Sequence, residues 1–135
     1  MKLSQGNGKL ILVVDDEEEI RDLTRMILEA DGYKVLLAAD GNEATSVFAE
    51  HSSEIDLVLT DMVMPEVDGI SAVDAIRKIR PDVKTIAVTG HVDNVQYVDL
   101  LGDVDAVLRK PYKKEILLST IAQVLTGSPE TKNAP

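Results

Sequence analysis

Five short apolar runs punctuate this chain, and each is followed by a longer segment whose apolar residues recur at helical spacing. The runs are Leu10–Val14, Lys34–Ala38, Ile55–Leu59, Thr85–Val88 and Ala106–Leu108. They are brief, rich in Val, Ile and Leu, and mostly lack the polar alternation of a half-exposed strand, as strands buried on both faces should be. The intervening segments read as helices. Residues 17–31 place Ile20, Leu23, Ile27 and Ala30 on one stripe, and Asp31-Gly32 stops the run. Residues 41–51 offer Ala44, Val47 and Phe48, and residues 69–80 offer Ile70, Val73 and Ile76 before Pro81. Residues 92–101 carry Val95, Val98 and Leu101 with several polar interruptions, and residues 113–125 carry Leu117, Ile121 and Val124. Five strand–helix pairs with short connections predict an α/β fold, a doubly wound parallel sheet with right-handed crossovers and helices on both faces.

The chain has 135 residues, which suits one domain. The polar, glycine-bearing residues 1–9 and the segment 127–135 read as flexible tethers, leaving residues 10–126 as the folded unit. The absence of cysteine excludes disulfides and thiolate metal sites and fits a reducing compartment, hence a cytoplasmic location. No apolar run approaches the roughly 20 residues that span a bilayer, so no membrane contact is expected of this domain. No basic start followed by an apolar stretch marks a signal peptide. A net charge of −10 argues against a grip on a phosphate backbone, so nucleic acid is not an expected partner of this domain alone.

In a sheet of this kind ligands gather beyond the carboxyl ends of the strands. There the chain places Asp15-Asp16 after the first run, Asp61 after the third, Thr89-Gly90 after the fourth and Lys110-Pro111 after the fifth. Three carboxylates in one pocket repel one another unless a cation is present. Oxygen donors without His or Cys favour a hard ion such as Mg²⁺. Each piece also has a plainer reading. Asp15-Asp16 could cap the helix beginning at Glu17. Asp61 could be a turn residue, Thr89-Gly90 an ordinary strand-to-helix turn, and Lys110 a solvated lysine before a helix start. The set together, in this chain order, is what points to chemistry.

With Val13-Val14-Asp15-Asp16-Glu17, Asp61-Met62-Val63-Met64-Pro65, Asp68-Gly69, Thr89-Gly90 and Lys110-Pro111-Tyr112, the chain resembles the receiver domain of two-component response regulators over residues 10–126 or so. The resemblance implies the flavodoxin-like topology, strand order 2-1-3-4-5 with five flanking helices. It implies that Asp61 accepts a phosphoryl group from a histidine kinase, a phosphotransfer domain or a small phosphodonor. Mg²⁺ would then be held by Asp16 directly, by Asp15 largely through water, by Asp61 and by the backbone carbonyl of Val63. Lys110 would pair with phosphoryl oxygens, Thr89 would hydrogen-bond the phosphoryl group, and Pro111 would follow a cis peptide bond. Such a domain is a signalling module with slow self-dephosphorylation rather than an enzyme.

Two positions depart from the usual pattern. Val107 stands where most receivers carry Tyr or Phe, which puts the coupled movement of Thr89 and an aromatic in doubt. Val63 stands where a polar side chain helps water attack the phosphoryl group, which implies a long-lived phosphorylated state. His91 occupies the other position that tunes this lifetime, or is simply a surface residue at a helix start. Two alternatives accompany the main reading. One is a pseudo-receiver acting only as a binding module, which normally loses an acidic or lysine position retained here. The other is a phosphohydrolase of the haloacid dehalogenase type, which wants Asp where Val63 stands. The segment before the first strand resembles the linker of receivers fused behind a sensor kinase, so both a hybrid-kinase receiver and a free-standing regulator are open, as is homodimerisation. The output is expected to run through protein contact.

Overall fold

The computed structural model describes residues 7–62, 69–90 and 104–127. Five strands, β1 (Leu10–Val14), β2 (Lys34–Ala38), β3 (Ile55–Asp61), β4 (Lys84–Thr89) and β5 (Ala106–Arg109), form one parallel sheet in the order β2-β1-β3-β4-β5. The helices among the described residues are α1 (Glu18–Ala30), α2 (Gly41–Glu50), α3 (Gly69–Ile79) and α4 (Lys114–Thr126). The helix expected over 92–101 lies outside the described residues. β3, β4 and β5 each run further than the apolar runs suggest, through Asp61, Thr89 and Arg109. Polar residues continue these strands because the parallel ladder pairs backbone groups whatever the side chain. No described helix is long and apolar enough to cross a membrane.

The pleat sends successive strand residues to opposite sides of the sheet. Ile11, Val13, Leu57, Leu59, Ile86 and Val88 pack with Leu28 of α1 and with Leu117 and Ile121 of α4. Leu12, Val14 and Val58 pack on the other side with Ala44 and Phe48 of α2 and Ile76 of α3. One irregularity interrupts this alternation. Leu10 pairs with Ile55 but Ile11 pairs with Leu57, so Asp56 is an extra residue and Ile55 joins the second layer while Leu57 joins the first. The Asp56 carboxylate accepts a hydrogen bond from the Leu10 amide at 2.8 Å across this bulge.

The helix termini follow local chemistry. Asp40 caps α2 by accepting from the Glu43 amide at 2.8 Å, and the Glu43 carboxylate accepts from the Ala39 amide at 2.6 Å. At the end of α1, the Gly32 amide donates to the Glu29 carbonyl and the Tyr33 amide to the Leu28 carbonyl. This is the paired closure of a Schellman turn, and Tyr33 and Leu28 complete it by sharing the core. It requires the left-handed region at Gly32, where φ is 92°.

The buried face of α1 differs from the expected stripe. Leu23 is 55% exposed and Ala30 is also exposed, whereas Thr24 and Leu28 are buried, flanked by half-buried Ile20 and Ile27. Apolarity alone favours Leu23 for the inward position. The Thr24 hydroxyl is accepted there because it lies 2.9 Å from the Tyr112 hydroxyl, which satisfies both groups away from water.

Replacing Gly32 with Ala forces a Cβ into the left-handed region and should lower unfolding stability by about 1–2 kcal/mol. A urea melt at constant slope measures this, and an unchanged midpoint would contradict the strain argument.

Candidate functional site

Parallel register brings the polar residues to one edge. Val14 pairs with Thr60, Asp61 with Val88, and Thr89 with Arg109. Asp15, Asp61, Thr89 and Lys110 therefore leave neighbouring strands at nearly one level. Asp15 and Asp61 are 4% and 5% exposed and Thr89 is buried, while Asp16 faces solvent. One carboxylate oxygen from each of Asp15, Asp16 and Asp61 lies within 4.8 Å of the other two.

Lys110 ties this group together. Its Nζ lies 2.8 Å from Asp15 Oδ2, 3.0 Å from Asp61 Oδ2 and 3.0 Å from Glu17 Oε1. Burial by itself would depress this lysine, but hydrogen bonds to Asp15, Glu17 and Asp61, with the Asp61 charge, outweigh it and hold the ammonium above the ordinary lysine range. The repulsion expected among the carboxylates is thus opposed by an internal cation. The Lys110 backbone is anchored as well: its amide donates to the Thr89 carbonyl at 2.8 Å, and the Lys110–Pro111 peptide is cis.

Asp15 and Asp16 occupy different environments. Asp15 Oδ1 accepts from the Glu17 amide at 2.9 Å while Oδ2 meets Lys110, so both oxygens are engaged. The Asp15 carbonyl accepts from Arg21 Nη1 at 2.8 Å. The N-cap of α1 is Glu17, without a side-chain cap bond, so the capping alternative for Asp16 does not hold. Among the described residues, the exposed Asp16 carboxylate makes no hydrogen bond or ion pair. A solvent-facing, uncommitted carboxylate beside two buried ones, with oxygen donors only, fits a hard divalent cation that keeps part of its water.

The strand-end residues singled out in the sequence converge, and other positions stand apart. Val107 sits on the edge strand β5 and is 48% exposed. Val63 and His91 lie outside the described residues. Two features were missed. Glu17 is read in the sequence as a helix start and as the last residue of the Val13–Glu17 motif, with no role of its own, yet it is the third partner of Lys110. An apolar groove of about 320 Å³ also opens beside Lys110, lined by Ile20, Leu23, Ile27, Gly90 and Tyr112 among others. The outward Leu23 was the available signal, but only the rotation of α1 reveals it. Burial pushes the Tyr112 phenol up, and its bond with Thr24 works against that shift.

The profile of the response regulator receiver domain matches residues 11–122. The sensor kinase CckA of Brucella abortus is 35% identical over 116 residues, 85% of this chain but 12% of that kinase. The response regulator SaeR of Staphylococcus aureus is 32% identical over 127 residues, 93% of this chain and 54% of that protein. The chain thus spans from about an eighth to about half of these relatives. A receiver domain from Clostridium thermocellum superposes with a TM-score of 0.81 at 34% identity, covering 88% of this chain and 95% of that one. Strand order, strand-end residues and a profile spanning nearly the whole described fold agree, and by them the chain belongs to the response regulator receiver domain family.

Proposed function

We propose that this domain accepts a phosphoryl group on Asp61 and signals through the resulting change of charge. The contact between Lys110 Nζ and Asp61 Oδ2, at 3.0 Å inside a ring of carboxylates, carries the reading. A carboxylate oxygen of Asp61 attacks the phosphorus of a phosphohistidine or an acyl phosphate. The bond from phosphorus to the donor's nitrogen or oxygen breaks, and the donor leaves with its electron pair. Lys110 offers positive charge to the transferring oxygens, and the Thr89 hydroxyl on the adjacent strand end becomes a hydrogen-bond partner for the new group. Asp15 orients Lys110 and the start of α1. Asp15, Asp16 and Asp61, with the Val63 carbonyl, would hold Mg²⁺, which supplies further positive charge when bound. A similar protein, TrrA of Thermotoga maritima, was solved with Mg²⁺ and a beryllium fluoride; it is 32% identical with a TM-score of 0.77. Retention of every strand-end residue favours this reading over a binding-only module.

The phosphodonor is a histidine kinase or phosphotransfer domain. A protein donor must bring its phosphorus to Asp61, whose lysine partner also lines the apolar groove, so we place the donor's footprint across Leu23 and its neighbours on α1. The folded unit reaches slightly beyond residues 10–126, since the Gly8 amide donates to the Gly32 carbonyl, the Lys9 carbonyl accepts from the Lys34 amide and Gly127 closes α4. It acts in the cytoplasm as part of a hybrid kinase or as a separate regulator. The event is a signalling modification, with slow loss of phosphate rather than turnover of a substrate.

Acetyl phosphate should label the protein in a Mg²⁺-dependent, base-labile manner, and Asp61→Asn should remove the label; acid-stable label that survives the substitution would refute the assignment. Mg²⁺ should raise folding stability as RT ln(1 + [Mg²⁺]/Kd), about 2.7 kcal/mol at a hundredfold excess over Kd. Asp16→Ala should lose most of that increment with little change in EDTA, and equal gains in both proteins would exclude Asp16 as a ligand. Leu23→Glu should slow phosphorylation by the cognate kinase at least tenfold while leaving acetyl phosphate labelling unchanged. Parallel loss with both donors would place Leu23 in folding rather than in docking.

A further inference from the structure

An ammonium group has three N–H donors, and at Lys110 all three are directed to carboxylates, on Asp15, Asp61 and Glu17. A phosphodonor approaching Asp61 brings new acceptor oxygens while Asp61 is still a carboxylate, so a Lys110 N–H that turns to them leaves one of its present partners. The three partners are not equivalent. Asp15 and Asp61 are almost wholly buried, and a carboxylate left there without its cation carries a large desolvation cost. The Glu17 side chain is 60% exposed and returns to water when released. It is not held by the helix either, because Glu17 is the N-cap of α1 without a side-chain cap bond.

We propose that Glu17 is the displaceable partner of Lys110, occupying the lysine until the incoming phosphoryl group takes its place, and so restraining phosphorylation of Asp61. This rests on the phosphoacceptor reading of Asp61 and adds a positioning residue to it. Glu17 acts through Lys110 and does not touch the reacting atoms. Its backbone contacts, an amide donating to Asp15 Oδ1 and a carbonyl accepting from the Arg21 amide, survive a change of side chain, so Glu17→Gln should fold as the parent does.

The experiment compares wild type, Glu17→Gln and Glu18→Gln at saturating Mg²⁺, reading the rate of labelling by acetyl phosphate and the affinity for beryllium trifluoride. Glu18→Gln removes the same charge one residue further on, from a side chain that does not contact Lys110. Glu17→Gln should raise rate and affinity about two- to fivefold, the scale of an exposed ion pair, and Glu18→Gln should change neither. In a Lys110→Ala background the effect of Glu17→Gln on beryllium trifluoride affinity should vanish. No gain in Glu17→Gln, an equal gain in Glu18→Gln, or a gain that persists without Lys110 would each overturn the proposal. A wild type that neither takes label nor binds beryllium trifluoride overturns the phosphoacceptor reading, and the proposal with it.

Discussion

Two carboxylates buried at one sheet edge would destabilise any fold that left them uncompensated, and here a lysine ammonium stands within 3.0 Å of both. Removing that cation would leave two like charges in a site almost closed to water. The rest of the site follows from satisfying this pair. Lys110 must be delivered from the last strand, and its amide is tied to the Thr89 carbonyl so that the side chain reaches back across β4 to Asp61 and Asp15. Asp15 must turn one oxygen toward the lysine, and its other oxygen then receives the Glu17 amide and starts α1. Helix start, strand end and charge balance are therefore one arrangement.

The same arrangement connects the buried Asp61 to the surface of the protein. Lys110 links the buried Asp61 to the exposed Glu17, and its backbone links both to Thr89. A group that competes for the ammonium would meet Glu17 at the start of α1 as its exposed rival. The apolar groove beside Lys110 runs along Ile20, Leu23 and Ile27 of α1, next to the site.

Much of this was legible in the chain because the fold is written in strong periodic signals. The run Leu10–Val14 is apolar at every position and becomes an interior strand with the same limits. Asp31-Gly32 marks a helix stop, and Gly32 does adopt the left-handed conformation that the stop requires. The strand-end acids, hydroxyl and lysine were legible as a set because parallel topology sends every strand's carboxyl end to one edge. The inward face of α1 was not legible. A threonine takes that position through a hydroxyl partner on Tyr112, 88 residues away, and periodicity in apolar residues cannot register such a partner. Nor was the bulge at Asp56, which depends on the amide of Leu10 in another strand.

The sequence by itself determined the alternation of strands and helices, the parallel sheet, and the identity of the groups gathered at its carboxyl edge, because these depend on local periodicity and on one topological rule. Only the tertiary structure decided how those groups divide their roles. Burial separated Asp15 and Asp61 from the solvent-facing Asp16, and distance made Glu17 a partner of Lys110 rather than only a helix start. Charge–charge energies depend on separation and on access to water, and both are set by contacts between segments far apart in the chain.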